Sequence, residues 1–141
     1  MRITRATIAL STIAFAAAIL TGCGSSSGSD ASTSSTTGSS YKVVPAAVVT
    51  TGLGEVRAIA QGLAAARAES ETKGRAELDR MYTKWFTFEG TVRKNDKNLY
   101  LEMEDGLGGM KIGVQGNRPD RITRGLADFE SAVDAYLKAF P

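Results

Sequence analysis

From Leu53 to the C-terminus, apolar residues recur at helical intervals. Leu53, Val56, Ile59 and Leu63 step by three or four and lead into an Ala-rich stretch ending at Ala68. Thr50 or Thr51 can cap this first helix, and Glu55 suits its dipole. Leu78, Met81, Trp85, Phe88 and Val92 mark a second helix, and Leu99, Met103, Leu107, Met110 and Val114 a third. Ile122, Leu126, Phe129, Val133, Tyr136 and Phe140 mark a fourth, opened by Pro119 and Asp120. Polar breakers separate them: the stretch around Gly74, the run Asn95-Asp96-Lys97-Asn98, and Gly116-Asn117-Arg118-Pro119. Four amphipathic helices with short connections predict an all-α antiparallel four-helix bundle.

The same residues allow a second fold. Phe86 and Phe88, then Leu99, Leu101 and Met103, then Met110, Ile112 and Val114 alternate as strands do. Gly106, Gly108, Gly109 and Gly113 each cost up to about 1 kcal/mol inside a helix relative to Ala. An α+β arrangement of helix, three-strand meander and helix is the alternative. A helical hairpin turning between Asp96 and Lys97 gives the glycines a purpose. It sets Trp85 opposite Gly108 and Phe88 opposite Asp105 and Gly106, so missing side chains make room for rings. The same register sets Glu89 opposite Glu104 and Arg93 opposite Tyr100.

The N-terminal part follows other rules. Arg2 and Arg5 precede an uncharged run of thirteen residues, Ile8 to Leu20. As a helix this run reaches roughly 20 Å, short of a bilayer core of about 30 Å, so it reads as a secretory signal rather than a span. It ends in Leu20-Thr21-Gly22-Cys23, an aliphatic residue, two small residues and a cysteine. This stretch resembles the lipobox of bacterial lipoproteins. The resemblance implies thioether-linked diacylglycerol on Cys23, cleavage before it, and acylation of the new amine. Two acyl chains suffice for stable anchoring where one is marginal. Residues 24–40 hold nine Ser, three Thr and three Gly in seventeen positions, too little apolar surface to offset chain entropy. They predict a disordered tether spanning roughly 20–25 Å. Tyr41 to Thr51 is apolar and β-branched around Pro45, and predicts a short extended strap with no helix through Val44. The expected organisation is therefore a signal peptide over 1–22, a lipidated cysteine and tether over 23–40, and a folded domain over 41–141.

Composition narrows the chemistry. The chain has 141 residues, no His and one Cys, which excludes an internal disulfide, the usual zinc sites and every catalytic triad that uses His as base. Of its 17 basic residues two lie in the signal, which leaves 15 against 15 acidic residues and no electrostatic case for nucleic acid. Gly106-Leu107-Gly108-Gly109 lacks the Lys-Ser/Thr of a phosphate loop, and Met81, Met103 and Met110 sit on helical seams as core. No spacing of carboxylates, Ser, Lys or Tyr outlines a catalytic site, so the chain is expected not to be an enzyme.

Two features remain as candidate sites. Glu89 and Glu104, facing across a helix pair with Asp105 beside them, form a minimal oxygen set for a hard cation such as iron. The plainer alternative is that Glu89 and Arg93 make an ordinary i,i+4 pair, while Glu102, Glu104 and Asp105 belong to a solvated face. Arg118, Arg121 and Arg124 cluster near the start of the last helix as a possible partner surface.

The stretch Trp85-Phe86-Thr87-Phe88-Glu89-Gly90-Thr91-Val92-Arg93, then Asp96, then Leu99 to Asp105 with Leu107 and Met110, resembles helical extracytoplasmic domains of bacterial iron-permease systems, including imelysin-like iron-uptake lipoproteins. The shared pattern is an aromatic-x-x-Glu helix, a basic-then-Asp turn, and a following helix with a buried acid, over about residues 75–140. The resemblance implies an all-α fold and a role near iron acquisition. It directs attention to Glu89 and Glu104. The His-containing metal motif of imelysin-like members has no counterpart in a chain without His, which favours an accessory role beside a membrane permease. The expectation is a lipid-anchored, extracytoplasmic, non-enzymatic protein linked to iron uptake, or else a generic envelope binding or structural module without metal.

Overall fold

The computed structural model describes residues 42–141; the expected signal peptide, the lipidation at Cys23 and the tether lie outside the described residues. The described part is all-α, 87% helical, with five helices and no strand among those residues. They are α1 (Ala46–Glu69), α2 (Glu71–Trp85), α3 (Glu89–Asn95), α4 (Lys97–Gly116) and α5 (Pro119–Ala139). The meander alternative is set aside: Leu99 to Val114 lies within α4 despite its glycines.

The helix boundaries follow local chemistry. α1 begins directly after Pro45, which stands at its N-cap, and not at the threonines. Only Lys42 to Pro45 stay non-helical, so the expected strap is shorter than its apolar composition suggested. Val49 and Gly52 join the buried face with Leu53 and Val56, which extends the periodicity back by one turn. α2 begins at Glu71 because the Ser70 side chain accepts from the Lys73 N–H at 3.1 Å. Gly74, expected in a gap, is instead buried in the first turn of α2, where a Cβ would meet the backbone of Arg67 at 2.9 Å. α4 is capped by Asp96, whose carboxylate accepts from the N–H groups of Asn98 and Leu99 at 2.8 and 3.0 Å. It ends at Asn117, which holds a left-handed φ of 52°. Pro119 opens α5, as its fixed φ and missing donor favour.

The expected second helix is broken. After Trp85 the chain makes tight turns in which the Thr87 N–H donates to Lys84 O and the Phe88 N–H to Trp85 O, both at 3.1 Å. The break turns Phe86 outward, at 62% exposure, and Phe88 inward, at 1%. Phe88 fills the hollow over Gly52 of α1, where a Cβ would lie 2.3 Å from the ring.

Neighbouring helices run antiparallel. Lys84 pairs with Glu55 while Gly74 abuts Arg67, so numbers rise along α2 as they fall along α1. Arg57 pairs with Asp134, and Gln61 donates to Glu130, which fixes α1 against α5. Arg93 lies over the Tyr100 ring and Lys111 over the Tyr82 ring, at 5.6 and 5.8 Å from the centroids. Those two pairs are the register expected for a hairpin turning at Asp96.

The purpose of the glycines differs from expectation. Gly106, Gly109 and Gly113 face α5, not Trp85 and Phe88. A Cβ on Gly106 would meet Phe129 N at 2.7 Å and Gly125 O at 2.8 Å, and one on Gly113 would meet Ile122 N at 2.7 Å. Gly125 returns the contact, lying 2.6 Å from Gly106 O by the same construction. Backbone-to-backbone approach of α4 and α5 leaves no room for side chains there. Gly108, expected under Trp85, faces open space. Around this crossing a core of Leu53, Leu63, Met81, Trp85, Met103, Leu107, Met110 and Phe129 is fully closed to solvent.

Gly106→Ala should therefore destabilise by about 1–3 kcal/mol, through forced separation of α4 and α5. Gly108→Ala should stabilise by up to about 1 kcal/mol, since only helix propensity changes. Chemical denaturation of the two variants checks both signs.

Candidate functional site

The break between α2 and α3 brings three groups together. Trp85 closes α2 with its ring wholly buried. Its indole N–H donates to Glu104 Oε1 across the seam to α4. Glu89 opens α3, one turn further on. Burial raises the Glu89 carboxyl above its ordinary value of 4.5, and the Glu104 charge raises it further. Arg93, one turn along α3, and the Trp85 N–H pull it partly back. Glu89 and Glu104 thus share one electrostatic neighbourhood, with an indole donor between them.

Aromatic rings frame the pair. The Tyr100 ring stacks on Trp85 at 6.1 Å, while Phe88 and Phe129 meet it edge-on at 5.4 and 6.4 Å. The Tyr82 hydroxyl is held above its ordinary value, first by burial and then by the Glu104 charge. Glu104 therefore acts on three sides: on Trp85 as acceptor, and on Glu89 and Tyr82 as a neighbouring negative charge. Sequence reasoning placed the two acids and the Arg93–Tyr100 pair but missed the indole donor. The signal was a lone Trp one helical turn from the Glu89–Glu104 level of the same register, since a buried indole N–H requires an acceptor.

Asp105 does not join this pair. It lies on the side of α4 that faces α5, where it lines a shallow cavity with Gly109, Arg121, Arg124, Gly125 and Asp128. A second hollow beside it is lined by Glu102, Asp105, Asp128 and Ser131. One residue along a helix turns a side chain by about 100°, enough to part Asp105 from Glu104. Among the described residues, no three His, Cys, Asp or Glu side chains converge in a way that could hold a metal ion. Of the three expected arginines, Arg121 and Arg124 lie together beside Asp105, and Arg118 stands at the N-cap of α5. A larger cavity, about 570 Å³, runs along the α1–α2 seam over Ala58, Gly62 and Ala65. Its rim charges are paired, Lys84 with Glu55 at 2.7 Å and Arg80 with Glu77 at 3.2 Å.

Beside Glu104, burial and like charge disfavour a negative charge on Glu89. A proton on Glu89 relieves the repulsion; so does a bound cation. Compared with family models, curated proteins and solved structures, the chain matches none of them.

Because the Glu89 pKa is raised in the folded state, its protonated form is favoured by folding, and this contribution fades as pH rises through the raised value. Stability measured from pH 4.5 upward should thus fall more steeply in the native chain than in Glu89→Gln. At pH 7 the Gln variant should be the more stable of the two. Urea denaturation across that window checks the sign.

Proposed function

We propose that the chain is a lipid-anchored extracytoplasmic lipoprotein of a bacterial envelope whose helical domain acts as a non-enzymatic binding or accessory module. The observation that carries this reading is Leu20-Thr21-Gly22-Cys23 at the end of a short uncharged run with a basic start. A Ser-, Thr- and Gly-rich tether then links that cysteine to the domain. The absence of His and the single Cys support a role in binding rather than catalysis. In this reading α1, α2, α4 and α5 make an up-down-up-down four-helix bundle, with α3 as the displaced end of the second rod.

The link to iron uptake is the finer part of the proposal. It rests on the Trp85–Met110 pattern and on the Glu89–Glu104 pair, which could greet a hard cation weakly or meet a permease partner. A generic envelope module without metal is favoured by a different observation. Glu104 already accepts from Trp85, so one of the two carboxylates has a structural occupation.

Two measurements separate these readings. Cys23→Ser should release the chain from membranes into the extracytoplasmic fraction; unchanged retention contradicts the lipid anchor. Iron or manganese titrated against the thermal melt should stabilise the native chain, by about 2.7 kcal/mol at 100 times the dissociation constant. The gain should vanish in Glu89→Gln/Glu104→Gln. No gain with either ion, or an equal gain in the double variant, leaves the module without a metal role.

A further inference from the structure

The end of the bundle from which the chain leads back to Cys23 gathers free positive charge. α1 starts at that end, and α2 and α5 finish there, because both run antiparallel to α1. Two hydrogen bonds bring the remaining segments to the same place. The Val44 N–H donates to Thr91 Oγ1 of α3 at 2.8 Å, and the Asn95 amide, closing α3, donates to the Tyr136 hydroxyl of α5 at 2.7 Å. Four lysines lie beside these bonds. Lys42 is just before Val44, Lys94 is one turn after Thr91, Lys97 follows Asn95 into α4, and Lys138 follows Tyr136 in the last turn of α5. All four are exposed, and no ion pair among the described residues uses them. The acids nearby are engaged. Asp96 caps α4, Glu89 is half-buried toward Glu104 and Arg93, Glu55 pairs with Lys84, and Asp134 pairs with Arg57. Glu102, in the second turn of α4, belongs to the hollow it lines with Asp105, Asp128 and Ser131.

We propose that this end of the bundle docks on the anionic lipid head groups of the membrane that holds the anchor. The inference rests on the lipid anchor proposed above, because it is the chain leading back to Cys23 that selects this end. A tether reaching roughly 20–25 Å brings Lys42 and its neighbours to the head groups. The other end of α5, which has 21 residues, then stands about 30 Å further out. Each lysine at an anionic surface favours contact about fivefold, and the attraction fades within a Debye length of about 8–10 Å. The near end therefore feels the surface and the far end does not. Lysine suits such a partner, as a compact point charge that needs no fixed geometry to meet a phosphate. Docking through these four residues turns Arg118 and Arg121, at the opposite end of α5, away from the membrane.

The test uses the full chain, extracted from membranes in mild detergent and reconstituted into vesicles that carry a dansyl-labelled lipid. Trp85, the one tryptophan of the chain, closes α2 at the lysine-bearing end. Energy transfer from it to the label therefore reports how near that end lies to the bilayer. Transfer should be about twofold or more higher on vesicles of roughly one phosphatidylglycerol to two phosphatidylcholine than on phosphatidylcholine alone. It should fall back between roughly 50 and 500 mM salt as the charges are screened. Lys42→Gln/Lys94→Gln/Lys97→Gln/Lys138→Gln should lower transfer on the anionic vesicles to the neutral-vesicle level. Arg118→Gln/Arg121→Gln should leave it high. Both variants should keep the helical circular dichroism, since the changed side chains are exposed, and both should float with the vesicles, since the anchor is intact. Equal transfer on the two kinds of vesicle while the chain still floats overturns the docking and spares the anchor. So does a loss of transfer that is the same in both variants. A native chain that does not float with neutral vesicles overturns the anchor, and the docking with it. Retention of the native chain but not the lysine variant on a polyglutamate resin, with equal transfer on both vesicles, assigns the lysines to an acidic protein and overturns the proposal too.

Discussion

The domain depends on one side chain, Trp85. Its ring lies where three packing surfaces meet: Phe88 after the break, Tyr100 on α4 and Phe129 on α5. Burying a ring of this size contributes several kcal/mol, but its N–H must find an acceptor or the gain is eroded. Glu104 supplies that acceptor. The bond joins the end of α2 to the second turn of α4, two helices that do not follow each other directly in the chain. Two tight pairs are thereby held together: α1 with α2 through Gly74 and Arg67, and α4 with α5 through Gly106, Gly113 and Gly125.

This placement has an electrostatic consequence. Glu104 must be near a buried ring to accept from it, and the register that brings it there also brings Glu89. The Arg93 guanidinium, over Tyr100, answers part of the resulting negative charge. The strain at Glu89 is thus a by-product of the hydrogen bond that secures the tryptophan. That gives a structural origin for a carboxylate pair that otherwise invites a purely functional explanation, and any cation-binding role uses groups the fold already needs.

Much of this was legible in the sequence, and the failures have physical reasons. Helical spacing located α4 and α5 closely because Asp96 and Pro119 are strong local start signals. The hairpin register followed from the turn at Asp96, which is why Glu89 met Glu104 and Arg93 met Tyr100. The break at Phe86 was not visible, since Trp85, Phe88 and Val92 keep helical spacing across it. It is a tertiary effect: Phe88 leaves the helix to fill the hollow over Gly52. The glycines of α4 were assigned a packing purpose, but against the wrong partner. Helical spacing shows that small residues share a side, whereas only the fold shows that Gly125 waits on α5 to meet them. Asp105 was grouped with Glu104 because they are adjacent in the chain, though adjacent helical residues point apart.

The central claim is that the Trp85 indole N–H is sealed and bonded to Glu104. The chain has one tryptophan, so its indole proton gives a single resonance in a proton–nitrogen correlation spectrum. Its exchange with deuterium tests the claim most directly. The account predicts exchange as slow as the most protected core amides, occurring only through global unfolding, and much faster in Glu104→Leu. An indole proton that exchanges within minutes in the native chain, or at the same rate in both proteins, would contradict it.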